Sequence, residues 1–178
     1  MTEPRLIQPD IRYKDSYVAA LREGLHLEPA PEKDILLAEK DFNEYMRKRH
    51  DLSRPVTLPD GTQIQRVAQM DLWLMDGDRF LGMSTIRPEL NSSLMKRGGN
   101  IGYAVRASER RKGYGEMILK LTLDRIRELN LPLEKVLITC HDENTGSIRI
   151  IEKNGGVFQD KVKILGLLRP ERRYWVTL

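Results

Sequence analysis

The chain has 178 residues, 40% of them apolar and 31% charged, which suits one soluble α/β domain with a real core and leaves little room for a second. Thirty basic against 26 acidic residues leave a net charge of +4, with both signs interleaved along the chain, so neither a nucleic-acid binder nor a membrane-surface protein is indicated. No apolar run approaches the roughly 20 residues that cross a bilayer, the first residues carry no secretory pattern, and the single cysteine, Cys140, fits a reducing cytoplasm.

A first strand is expected at Leu6, Ile7 and Gln8, with Asp10 as a cap for the next element. Tyr17, Val18, Leu21 and Leu25 recur at helical spacing and predict a helix over 16–25. Pro29 and Pro31 break the chain, and a second helix is expected over 32–50, with Ile35, Leu36, Phe42, Tyr45 and Met46 as its apolar positions. His26 and His50 sit among charges and read as surface. Pro55, Pro59 and Asp60-Gly61 are turn chemistry. Strands over 67–74 and 80–86 flank Asp76-Gly77-Asp78 and read as a hairpin. After a polar loop over 91–99, a third strand is expected over 101–105.

A helix begins near residue 115, with Leu119, Leu123, Ile126 and Leu129 on one apolar arc, and Asn130 and Pro132 end it. The branched apolar run over 136–140 has the pattern of a strand buried on both faces. Asn144 is a good cap for a short helix reaching 153, and Asn154-Gly155-Gly156 closes that helix. Final strands are expected over 157–164 and 172–178. The sum is an α/β (α+β) fold with a mixed, mostly antiparallel sheet. Its central strand–helix–strand unit, 101–140, is expected to be a right-handed parallel crossover. No repeat or linker divides it, so residues 1–178 read as a single domain with an N-terminal helical part over 10–50.

The chemistry concentrates in Arg110-Arg111-Lys112-Gly113-Tyr114-Gly115, between a strand and a helix. The first N–H groups of a helix lack intrahelical partners and carry the positive end of its dipole. Glycines let a ligand approach the backbone, and three basic side chains add attraction, so a phosphate or pyrophosphate is the natural guest. The segment lacks the Lys-Ser/Thr pair of a P-loop, and Ile118 occupies the third glycine position of a dinucleotide-binding fingerprint.

In its context, Arg110-x-x-Gly113-x-Gly115 followed by a long amphipathic helix, an apolar strand, Asn144, a short helix and Gly155 resembles the GNAT superfamily of N-acetyltransferases. The likeness covers roughly 82–174. The phrase Gly98-Gly99-Asn100-Ile101-Gly102-Tyr103-Ala104-Val105 is similar to a bacterial branch of predicted acetyltransferases. The resemblance implies an acyl-CoA-binding core over about 82–165 and acetyl-CoA as co-substrate. It implies that Arg110, Arg111, Lys112, Gly113, Tyr114 and Gly115 hold the pyrophosphate. Tyr103, Ala104 and Val105 would pair with the pantetheine arm, on a strand splayed away from its neighbour, and Asn144 and Ser147 would reach the same arm. The acceptor it implies is a small-molecule or peptide amine, taken by direct transfer; a non-catalytic acyl-CoA sensor is the alternative.

One departure bears on mechanism. Many members carry a tyrosine seven residues after the helix-starting asparagine, where it can protonate the leaving thiolate. Here that position is Ile151. Tyr103, Tyr114, Tyr174 and water are the replacements the sequence offers. For the proton of the attacking amine, Glu89, His141, Asp142, Glu143 and a water chain are candidates. Arg172 and Arg173 either face an acceptor with a carboxylate or phosphate or are solvated edge-strand charges. No His/Cys/Asp spacing indicates a metal site. The final strands could pair two copies about a two-fold axis.

Overall fold

The computed structural model describes residues 3–25, 30–58 and 61–178; the readings of His26, Pro29, Pro59 and Asp60 lie outside the described residues. Strand β1 (Arg5–Ile7) leads into a 3-10 turn that Asp10 caps, its carboxylate accepting the Arg12 N–H at 2.9 Å. Helix α1 (Lys14–Arg22) buries Tyr17, Val18 and Leu21, as their spacing requires. The single helix expected over 32–50 is two helices, α2 (Glu32–Lys40) and α3 (Phe42–His50). Asp41 makes the break. Its backbone leaves the helical region at φ -144° and ψ 89°, and its carboxylate accepts the Glu44 N–H at 2.9 Å, so it caps α3. Ile35 and Phe42 still turn to one core across the break, which is why periodicity alone reads as continuous.

The proline-rich stretch conceals a small hairpin, β2 (Val56–Thr57) with β3 (Gln63–Ile64). Strand β4 (Met70–Asp76) begins later than expected and turns at Gly77 into β5 (Arg79–Ile86). There follow β6 (Ile101–Val105), α4 (Tyr114–Glu128), β7 (Lys135–His141), α5 (Thr145–Lys153), β8 (Val157–Val162) and β9 (Glu171–Thr177). Two sheets form, in the orders β1-β4-β5-β6 and β7-β9-β8, and every ladder in them is antiparallel. Strand β9 is the middle of its sheet, so Arg172 and Arg173 are not edge charges. They are paired instead, Arg172 Nε with Asp142 at 2.5 Å and Arg173 Nε with Asp160 at 2.7 Å. The free edge of the final strands belongs to β8.

Alternation along β4 and β5 divides the core. Trp73, Met75 and Met83 face α1–α3, where Tyr17 stacks on Trp73 with ring centroids 4.5 Å apart. Leu74 and Leu81 face α4 and pack on Ile118. Helix α4 also packs Leu119, Leu123 and Ile126 against Val136 and Ile138 of β7, so one helix spans both sheets.

The two sheets meet at one place. The Asn100 N–H donates to the Leu137 carbonyl at 2.7 Å, and the Asn100 Oδ1 accepts the Leu137 N–H at 2.8 Å. Past that clamp β6 pairs only with β5 and β7 only with β9, so the crossover strands diverge. Gly99 permits the contact: with φ 61°, a Cβ there would lie 2.2 Å from the Leu137 carbonyl oxygen.

Candidate active site

The divergence leaves β6 with an unpaired edge and opens a cavity of about 540 Å³ between the ends of β6 and β7. Tyr103, Ala104 and Val105 line one side, His141, Asn144 and Ser147 the other, and Arg110, Arg111, Gly113, Tyr114 and Gly115 the end. Of the residues expected from sequence to bind the cofactor, only Lys112 is missing from the cavity wall.

Helix α4 starts at Gly113, which holds φ 86°, and no side chain caps it. The first intrahelical bond is Met117 N–H to the Gly113 carbonyl at 3.2 Å, so the amides before it lack partners within the helix. Arg111 also has a positive φ, 66°, rare outside glycine, and such outliers gather at ligand-binding turns. Gly115 packs α4 against α5; a Cβ there would lie 2.8 Å from Ile150 Cδ1.

The basic side chains of the turn are largely committed elsewhere. Arg110 reaches back to the end of α1, donating to the Gly24 carbonyl at 2.7 Å and to the Val105 carbonyl at 3.3 Å. Lys112 Nζ pairs with Glu109 at 2.9 Å, and the same buried carboxylate meets Arg79. The adjoining Arg106 is buried and grips Glu23 through Nε at 2.9 Å, while Ser108 Oγ donates to that carboxylate at 2.7 Å. These contacts hold the Glu23 carboxyl down at about 2, the Arg106 guanidinium being the main cause. Glu23, Glu109 and Arg106 therefore brace the turn, and anion attraction there falls mainly to backbone N–H groups and exposed Arg111.

At the other wall, Asn144 caps α5, its Oδ1 accepting the Ser147 N–H at 3.0 Å. The Tyr103 and Ser147 hydroxyls are 2.6 Å apart, and burial pushes the Tyr103 phenol up to about 12. Ile151 points into the core beside Ile138 and Leu119 and is fully buried. Cys140 is buried as well, and burial raises its thiol to about 12, far from a nucleophile's range.

His141 is the one candidate base that the fold brings to this cavity. Its Nδ1 lies 2.8 Å from Glu171 Oε1, though out of line for a hydrogen bond. Glu171 is buried on β9, also within 3.3 Å of Arg97 Nε, and burial raises its carboxyl pKa despite the Arg97 cation. Glu89 is exposed on the loop after β5 and lines neither large cavity. Tyr174 is fully buried, edge-on to Phe158 with its hydroxyl 3.4 Å from Glu152, and does not reach the cleft. Among the described residues no three His, Cys, Asp or Glu side chains converge as a metal site, and no helix is long and apolar enough to cross a membrane.

A second cavity of about 620 Å³ adjoins the first; Arg97 lines both. Arg49, Arg87 and Lys163 are among its walls, and His50 is not free surface. The His50 Nε2 lies 3.3 Å from Asp71, whose buried carboxylate also ion-pairs with Arg49 and accepts the Thr85 hydroxyl at 2.7 Å.

The acetyltransferase (GNAT) domain model matches residues 25–157. The chain belongs to the GNAT acetyltransferase family. As such it is an acetyl-CoA-dependent N-acetyltransferase. No curated protein sequence is similar to this GNAT protein. Solved structures share its fold end to end. RimL, an alpha-N-protein acetyltransferase of a ribosomal protein solved with coenzyme A, superposes with a TM-score of 0.65 at 11% identity, covering 100% of this chain and 96% of that one. The microcin self-immunity acetyltransferase MccE, solved with acetyl-CoA and AMP, gives 0.65 at 13% identity over 100% and 94%. A chimera of the spermidine N-acetyltransferase SpeG from Vibrio cholerae and hSSAT gives 0.64 at 14% identity over 99% and 96%.

Proposed function

We propose that this GNAT protein binds acetyl-CoA in the 540 Å³ cleft and transfers its acetyl group directly to the primary amine of an acceptor, as one domain whose core over about 82–165 holds the co-substrate. One observation carries the reading: the uncapped start of α4 and the unpaired edge of β6 open on the same cavity. The first supplies N–H donors for a pyrophosphate. The second supplies strand-like partners for pantetheine amides.

His141 takes the role of general base and Glu171 that of the group that positions it. Nδ1 lies 2.8 Å from Glu171, and a small rotation of the ring would align Nδ1–H with that carboxylate and leave Nε2 to accept a proton. The amine nitrogen attacks the thioester carbonyl carbon, its proton passes to His141, the carbon–nitrogen bond forms and the carbon–sulfur bond breaks. Backbone position and charge supply the rest. A lone, unpaired cysteine supports a reducing, cytoplasmic setting for this reaction.

Calorimetry with acetyl-CoA tests binding, and release of free CoA thiol with a panel of amines tests turnover. His141→Gly is expected to lose at least about 100-fold in kcat, to keep its acetyl-CoA Kd, and to regain activity with added imidazole. Absence of binding heat sinks the cofactor assignment. An active His141→Gly, or one that imidazole cannot rescue, sinks the base. Tight binding with no turnover on a broad panel would favour a sensor.

A further inference from the structure

Resting on the acetyl-transfer reading, we propose that the acceptor is an amine that also carries an oxyanion, a carboxylate or a phosphate, bound by Arg87 in the 620 Å³ cavity. This cavity adjoins the acetyl-CoA cleft, and Arg97 belongs to both walls. Six strong cations line it: Arg49, Arg66, Arg87, Lys96, Arg97 and Lys163. No described carboxylate lines it. Two acidic groups stand behind the wall, Asp71 against Arg49 and Glu171 against Arg97. The charge facing the interior is therefore strongly positive.

Arg87 is the decisive member. It is half-buried, just past the end of β5, and its guanidinium lies over the β6 backbone, with Nη1 3.6 Å from where a Gly102 Cβ would stand. The bond that its guanidinium makes is long, Nη1 to the Gly99 carbonyl at 3.3 Å. No described carboxylate lies within ion-pair distance of it, and burial lowers its pKa although Asp71 opposes that from behind the wall. A half-buried arginine with no ion-pair partner gains when a ligand supplies an opposite charge, and its planar fork suits a carboxylate or phosphate oxygen pair. Leu58, Ile64, Val67, Leu94 and Ile164 supply an aliphatic part of the same wall, beside which the pairing of a bound oxyanion is strengthened. Cationic polyamines are disfavoured by the same field.

Matched acceptors test this: 6-aminohexanoate against 1-aminohexane, O-phosphoethanolamine against ethanolamine, and spermidine as the cationic comparison, each assayed by CoA release. The anionic member of at least one pair is expected to exceed its neutral partner by at least about tenfold in kcat/KM, the winning pair telling carboxylate from phosphate. Arg87→Gln should abolish that preference through KM while leaving the acetyl-CoA Kd unchanged; Arg87→Lys should retain part of it. If none of these amines is turned over, thermal shift in the presence of CoA decides. Stabilisation by an anionic probe that is lost in Arg87→Gln supports the proposal, and equal shifts with neutral probes overturn it. Neutral or cationic amines reacting as well as anionic ones, or an unchanged preference in Arg87→Gln, also overturns it. Absence of CoA binding would instead strike the acetyl-transfer reading.

Discussion

Asn100 is where the fork between β6 and β7 is fixed, and replacing it tests whether the divergence depends on that clamp. Its side chain makes two bonds: Oδ1 accepts the Leu137 N–H at 2.8 Å, and Nδ2 donates to the Arg87 carbonyl at 2.8 Å. Asn100→Ala strands both partners. Leu137 is fully buried, so its amide loses about 1–3 kcal/mol, while the half-buried Arg87 carbonyl, which water can reach, loses about 1 kcal/mol. The sum is about 2–4 kcal/mol, or a fall of about 1–2 M in the urea midpoint with an m-value near about 2 kcal/mol/M. Urea unfolding followed by tryptophan fluorescence reads it, since Trp73 is buried in the core. Asn100→Asp separates the two bonds: it still accepts from Leu137 but turns a second acceptor toward the Arg87 carbonyl, and should cost at least as much as alanine. Acetyl-CoA affinity should fall in both variants because the β6 edge is then held to β7 by the backbone bond from Asn100 N–H to the Leu137 carbonyl alone. A change in stability below about 0.5 kcal/mol, the scale of an ordinary surface substitution, would refute the clamp.

The geometry sets two further outcomes. Asp71 raises the His50 pKa above its ordinary value of about 6.5, chiefly through the contact with its carboxylate, so charged His50 contributes stability that is full below about 6.5 and is lost as pH rises through the raised value. The difference between the protein and His50→Gln should therefore be largest near about pH 5.5 and shrink by about pH 8.5 in urea titrations, and a constant difference would refute it. Tyr103→Phe should lower kcat by less than about tenfold, because a true general acid contributes about 10²–10⁴; a loss of about 100-fold would make Tyr103 that acid.

Much of the backbone of the proposed cofactor side was legible because it is local. The turn from Arg110 to Gly115 and the cap at Asn144 state their backbone conformations in a few consecutive residues, and both stand where the pattern puts them. The side-chain chemistry of the same turn was not legible. Arg110 is spent on Gly24 and Lys112 on Glu109, and only the fold brings Gly24 near. Pattern also misled where two readings share a periodicity: Asp41 caps a helix without disturbing the apolar spacing of Ile35 and Phe42. Arg172 and Arg173 read as edge charges because nothing in the order of strands says that β9 inserts between β7 and β8. The partner of His141, Glu171, is far along the chain on that inserted strand, and the cationic cavity collects Arg49, Arg66, Arg87, Arg97 and Lys163 from separate segments. No spacing rule could have gathered them.

The position that departs from the family pattern, Ile151, can be tolerated for an energetic reason. It is packed in the core, so no hydroxyl from there reaches the cleft. Among the hydroxyls that line the cleft, that of Tyr103 is pushed up by burial to about 12, whereas a thiol of ordinary acidity titrates at about 8.5. Passing a proton from that phenol to a thiolate would run uphill by about 5 kcal/mol at about 1.4 kcal/mol per pH unit. Tyr103 can still donate a hydrogen bond to departing sulfur, which needs no transfer of the proton. A thiolate is also a far better leaving group than a neutral amine's conjugate anion. In the proposed route, once His141 has taken the amine proton, collapse toward the amide is favoured whether or not the sulfur is protonated in the same step. The demanding proton on that route is the one that must leave the amine, and its proposed acceptor, His141, is a side chain that β7 and β9 together hold at the mouth of the fork.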